Sequence, residues 1–178
     1  MNKIDTSKIT DPEAKRFINI FLTYRGINRE FYQLVPEDKF DYRMTEKSDS
    51  PRESLIHQIE IERGYFLGAT DGQGHQWGRT KDSTLKEKSK DELLKLLSEK
   101  DQRLIDFLAI SENLIKTVTV KYSPTPINVL RFLWAMNDHE ILHNGWNLAL
   151  MDHLNIPRFP ALKQIWGYGV KLNQVERF

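Results

Sequence analysis

The stretch Met136-Asn-Asp-His-Glu-Ile-Leu-His-Asn-Gly-Trp146 decides how this chain folds and what it can bind. Its two histidines, His139 and His143, are four residues apart, so a helix places both rings on one face. At about 100° per residue they line up with apolar residues that should face a core, namely Phe132, Met136, Trp146 and Leu150. Imidazoles in a buried stripe are costly unless groups inside the protein bind them. The stretch therefore predicts a core helix that carries a polar site.

Four helix-start signals are spaced along the chain. Each has a capping residue together with a proline suited to the first turn or a glutamate that closes a capping box. The signals are Thr10-Asp-Pro-Glu13, Ser50-Pro-Arg-Glu53, Ser89-Lys-Asp-Glu92 and Thr125-Pro-Ile-Asn128. They predict four long helices.

The predicted helices run over about residues 12–35, 51–72, 90–114 and 126–154. The β-branched segment from Thr117 to Tyr122 should be extended. The apolar tail that contains Phe159, Trp166 and Tyr168 should dock across one end of the helices. Long helices with modest connections indicate an all-α, four-helix bundle with this segment packed on one end. We expect residues 1–178 to form a single domain of this kind.

The composition excludes several kinds of site. The 178 residues include no cysteine, which excludes disulfides, thiolate catalysis and cysteine-ligated metals. With 26 basic and 25 acidic residues the formal net charge is +1, so we expect no nucleic-acid partner. No apolar run is long enough to span a bilayer and no apolar leader begins the chain, so we expect no membrane association and a cytoplasmic location.

A third histidine, His57, lies in the second turn of the second predicted helix. Ile61, Gly64 and Gly68 share its helical face. The two glycines have two interpretations: they let another helix pack closely, or they clear room beside a metal. Packing is the commoner reason for such a pattern.

Three neutral imidazoles from two helices can bind one face of a metal and leave positions open for water or substrate. The set His57, His139 and His143 suits zinc, nickel, manganese, iron or cobalt. Glu60, one turn after His57, is a weak candidate for a base or for an acceptor that orients a histidine. Asp138 and Glu140 are further acceptor candidates, although surface charge is their commoner role. Ordinary core histidines bonded to protein groups remain the alternative.

The other two histidines and the tryptophan of the stretch have no assigned role. His75 belongs to a glycine-rich segment that reads as a flexible connection or a lid. His153 points away from His143 and should be peripheral. Trp146 can line a pocket or fill a core, and core is the commoner case.

Three features, in order, resemble the DinB-like superfamily of metal-dependent four-helix bundles. A polar linker leads into Ser50-Pro-Arg-Glu53 and the helix with His57. The pattern His139-x-x-x-His143-x-Gly145 follows on the last helix, and Leu154-Asn-Ile-Pro157 is similar to the family's helix end. One departure is Trp146, where the family frequently has glutamine.

The resemblance implies a divalent metal held by His57, His139 and His143, a pocket enclosed by the bundle, and often a homodimer. It also implies a small-molecule substrate and either a metal-dependent hydrolase or an S-transferase that uses a low-molecular-weight thiol. The alternative is a non-catalytic stress-response module that binds a small ligand or partner, with a structural or vestigial metal.

Overall fold

Helices dominate the computed structural model, which describes residues 4–76 and 78–166. The helices are α1 (Pro12–Leu34), α2 (Pro51–Asp71), α3 (Lys90–Leu108), α4 (Ser111–Leu114), α5 (Val129–His153) and α6 (Pro160–Trp166). Two short strands, β1 (Thr117–Val118) and β2 (Ile127–Asn128), pair antiparallel. The prediction of an all-α bundle is confirmed. No helix within the described ranges is long and apolar enough to cross a membrane.

The four long helices pack side by side. Helix α1 contacts α3 and α5, and α2 contacts the same two helices. Their apolar side chains form two separate clusters, one toward each end of the bundle. On α1, Phe21 belongs to one cluster and Ile27 to the other, with the buried Arg25 between them. The middle of the bundle is therefore a buried polar layer.

Three of the four predicted helix starts are confirmed by their caps. The side chain of Asp11 accepts hydrogen bonds from the first turn of α1, and Ser50 and Ser89 form complete capping boxes. The fourth start is wrong. Asn128 caps α5, with its side-chain oxygen accepting from the backbone N–H of Leu130 at 2.8 Å. The residues where the helix was expected to begin instead form β2, with Ile127 opposite Val118 and Asn128 opposite Thr117 of β1.

Two other predicted boundaries also change. Helix α3 ends at Leu108 instead of continuing to residue 114, and α4 starts afresh at Ser111. The amide of Asn113 donates to the carbonyl of Phe107 at 2.9 Å, which stabilises this break. Only Thr117 and Val118 of the predicted extended segment form a strand, paired with β2.

The C-terminal segment packs on the bundle as α6. Leu162 is buried in one apolar cluster, and the indole N–H of Trp166 donates to the side-chain oxygen of Asn144 at 3.1 Å. Tyr168 lies outside the described residues.

At Gly68 on α2, the backbone of the following loop and a side chain of α5 pack closely against the helix. A Cβ there would lie 2.7 Å from the backbone carbonyl of Gly74 and 3.0 Å from the ring of Phe132. We expect Gly68→Ala to lower the free energy of unfolding by about 1–3 kcal/mol because backbone must move. The matched control is Gly145→Ala in α5, where a Cβ meets nothing within 4 Å.

At Gly145 the higher helix propensity of alanine should raise stability by up to about 1 kcal/mol. Urea denaturation followed by circular dichroism measures both variants. Equal effects of the two substitutions would contradict close packing at Gly68.

Candidate metal centre

The three predicted histidines meet in the polar layer. His57 projects from α2, and His139 and His143 project from successive turns of α5. Their ring Nε2 atoms converge: His139 Nε2 lies 3.1 Å from that of His57 and 3.3 Å from that of His143. One ring nitrogen of each residue lies within 4.8 Å of the other two.

These distances fit ligands of a common metal. Ligand nitrogens about 2.0–2.1 Å from a metal, separated by tetrahedral or octahedral angles, lie about 2.9–3.4 Å apart. A ring nitrogen presents either one proton or one lone pair in a single direction. His139 Nε2 therefore cannot form good hydrogen bonds to both neighbours, whereas three lone pairs directed at one cation are mutually compatible.

Burial keeps the three rings neutral. It lowers the pKa of His139 to about 3, with help from the nearby His57 and Arg25. It lowers the pKa of His143 to about 2, with help from both partner imidazoles. Burial and the charge of Lys81 also lower the pKa of His57. Neutral imidazole is the form that binds metals, so all three rings present metal-binding lone pairs at physiological pH.

A cavity of about 440 Å³ opens beside the triad. Trp146 and the exposed Leu142 form an apolar wall, and the exposed Lys47 and Asp49 also line the cavity. Within the described residues, no carboxylate or further histidine joins the group of possible ligands. The side of the triad that faces the cavity is thus free for a small molecule.

A comparison with protein families matches residues 25–146 to the DinB superfamily. This chain belongs to the DinB superfamily. The matched range contains all three histidines of the site.

Among solved structures, the chain is similar to the crystal structure of the DinB-like protein YjoA from Bacillus subtilis. The two share 20% sequence identity with a TM-score of 0.66, over 82% of this chain and 96% of that one. At this identity the likeness shows the fold alone. A search of curated proteins finds no match.

Behind the triad of this DinB chain lies a contact that the sequence did not indicate. The Oγ atom of Ser54, three residues before His57 on α2, is 3.0 Å from His143 Nδ1. The hydroxyl of Tyr32, from α1, is 2.9 Å from the same Oγ. Only the spacing of Ser54 from His57, one helical turn, hinted that it could reach the site.

Both carboxylate oxygens of Glu60 bind groups other than the histidines, so Glu60 does not orient a ring of the triad in this structure. One of its carboxylate oxygens binds Lys81 Nζ at 2.8 Å, and the other accepts from the backbone N–H of Asp82 at 3.0 Å. It lines a neighbouring cleft together with His57. A role as a base therefore stays a prediction, while its observed contacts anchor the segment that follows α2.

Glu140 is not a surface charge in this DinB bundle, contrary to expectation. It is 1% exposed, and its carboxylate lies 3.3 Å from Arg25 and accepts from the amide of Asn28 at 2.9 Å. Asp138, by contrast, is exposed.

The buried Arg25 is the centre of a cluster of charges. Besides Glu140, it lies 2.7 Å from Glu62 and 3.3 Å from Asp101, and both of these carboxylates are buried. Arg29 also pairs with Asp101.

The remaining histidines lie outside the triad. The ring of His75 occupies the space left by Gly64 and packs on Tyr65, with ring centres 5.0 Å apart. That glycine therefore makes room for a loop side chain, and the interpretation that it clears space for a metal is wrong. His153 stacks on Tyr42 at the end of α5, with a 2.6 Å contact between Nε2 and the hydroxyl.

Proposed function

We propose that this DinB-superfamily protein is a metal-dependent enzyme that acts on a small molecule, with a divalent metal held by His57, His139 and His143. The observation that carries the proposal is the convergence of three Nε2 atoms, 3.1 and 3.3 Å apart, beside an open cavity. A structural metal site is normally closed by four protein ligands, whereas a catalytic site keeps a position open.

The residues around the cavity favour a ligand with mixed character. Leu142 and Trp146 offer apolar surface, and Lys47 and Asp49 offer one charge of each sign. A bound divalent metal acts as a Lewis acid or lowers the pKa of a bound water or thiol, so that it becomes a nucleophile near neutral pH. The two reactions that we propose are hydrolysis and S-transfer from a low-molecular-weight thiol.

The test begins with metal binding. The full chain is stripped with a chelator and titrated separately with Zn²⁺, Ni²⁺, Mn²⁺, Fe²⁺ and Co²⁺, and we expect one equivalent of at least one metal to bind. The loaded protein is then assayed with a panel of esters and amides, and with a small thiol plus electrophiles. Turnover that requires the metal supports the proposal. Absence of binding overturns it, and binding without turnover on any substrate favours a non-catalytic ligand-binding module.

A further inference from the structure

The outer nitrogen of His143 has a buried hydroxyl partner. Ser54 is 1% exposed and Tyr32 is fully buried, and the two hydroxyls form a chain of 3.0 and 2.9 Å contacts that ends at His143 Nδ1. The three residues come from α2, α1 and α5. The position of this ring is therefore set by three helices at once.

The direction of the hydrogen bonds decides whether the ring can bind a metal. A neutral imidazole carries one proton, on Nδ1 or on Nε2. If Nδ1–H donates to Ser54, then Nε2 presents a lone pair toward His57 and His139. If the serine hydroxyl donates instead, then Nε2 carries the proton, which points into the triad and blocks a metal.

We propose that Ser54, backed by Tyr32, is a positioning residue that holds His143 in the Nδ1–H form and so directs its Nε2 lone pair at the metal. This inference rests on the proposed function. Partners of this kind fix the tautomer and orientation of metal-binding histidines in proteins generally.

Tyr32 supplies the second half of the arrangement. A serine hydroxyl has one proton and two lone pairs, so Ser54 can accept from His143 while its own proton is donated to another group. The phenolic oxygen of Tyr32, 2.9 Å away, is positioned to accept it. In contrast, His139 Nδ1 is buried and has no hydrogen-bond partner among residues 4–76 and 78–166. Of the two α5 histidines, His143 is thus the one whose Nδ1 atom has a hydrogen-bond partner in the described part of the chain.

The experiment measures the tautomer directly. Protein with ¹⁵N-labelled histidine is studied by long-range proton–nitrogen correlation spectra, first metal-free and then with one equivalent of Zn²⁺. The variants are Ser54→Ala, Ser54→Thr and Tyr32→Phe. The matched control is Ser98→Ala, because the hydroxyl of Ser98 is bonded to its own helix at Leu94 and to no histidine.

We expect the wild-type His143 ring to carry its proton on Nδ1, protected from solvent exchange, in both states. Ser54→Ala should lose that protection and weaken Zn²⁺ binding about 10–100-fold. Ser54→Thr keeps the hydroxyl and should keep the protected proton. Tyr32→Phe should speed the exchange of the His143 proton with solvent and lower Zn²⁺ affinity less than Ser54→Ala does. Ser98→Ala should match the wild type.

A proton on Nε2 in the metal-free wild type would overturn the inference, as would a Ser54→Ala variant with unchanged tautomer and affinity. If the wild type binds no Zn²⁺ or other tested metal, the proposed function fails and the metal-positioning role fails with it. The metal-free spectra still report separately on the bond between Ser54 and His143, so the two failures are distinguishable.

Discussion

Arg25→Ala is expected to lower the free energy of unfolding by about 3–5 kcal/mol, because removing one partner of a buried ion pair leaves uncompensated charge. Arg25 is fully buried and faces carboxylates from three helices, namely Glu62, Asp101 and Glu140. Folded domains are stable by only about 5–15 kcal/mol. Urea denaturation followed by circular dichroism should therefore show a large fall in the midpoint, or no folded baseline at all.

The matched control is Arg79→Ala. Arg79 pairs with Asp71 at 2.6 Å, but both side chains are about one-third exposed. Ion pairs at the surface contribute about 0–1 kcal/mol, so this variant should stay near the wild type. In the Arg25→Ala background, Glu62→Gln should recover part of the loss because it removes a buried carboxyl that has lost its guanidinium partner. Equal stability of the two arginine variants would show that the buried cluster does not hold the helices together.

The second large effect concerns metal binding. His139→Ala is expected to weaken the binding of every divalent metal by more than about 100-fold. Removing a residue that only orients a metal ligand lowers metal affinity by about 10–100-fold, and removing the ligand itself should lower it further. His139 Nε2 is the atom that lies near both other ring nitrogens. Competition with a chelator of known affinity measures the change, and elemental analysis measures the stoichiometry.

His153→Ala is the control for this experiment. His153 is an exposed histidine on the same helix, packed on Tyr42 outside the triad, so its removal should leave affinity unchanged. Metal-free His139→Ala should remain folded, because its ring has a buried Nδ1 without a partner in the described part of the chain. Full stoichiometry in His139→Ala would place the metal elsewhere and contradict the triad.

Much of the candidate site could be predicted because its signals are local. Spacing of four residues puts His139 and His143 on one helix face, and an apolar stripe indicates which face is buried. The capping chemistry around Ser50 and Ser89 likewise depends only on residues three apart, and it predicted where α2 and α3 begin. Such short-range rules hold whatever the rest of the chain does.

Other features depend on contacts between distant segments and could not be predicted. Ser54 meets His143 across 89 positions of sequence, and Asn28 meets Glu140 across 112. A serine or glutamate on a helix looks the same in sequence whether it faces water or a partner. The start of α5 was also mispredicted because pairing of Ile127 with Val118 competes with an earlier helix start.

The buried layer also ties folding to the acidity of the solution. Within the described residues, it holds the carboxyl groups of Glu62, Asp101 and Glu140 against two guanidinium groups, those of Arg25 and Arg29. Burial raises the pKa of Glu62, although Arg25 opposes the change. Folding therefore increases the affinity of this carboxyl for a proton, so the stability of the bundle is linked to pH through Glu62.

The stability linked to this carboxyl should fall as the pH rises above the ordinary pKa of a glutamate. The stabilisation is fully present below that value and is lost progressively as the pH rises toward the higher pKa of the folded state. The loss begins near the ordinary pKa of a glutamate and is complete above the pKa of the folded state, so Glu62 should favour the folded bundle more in weakly acidic than in neutral solution.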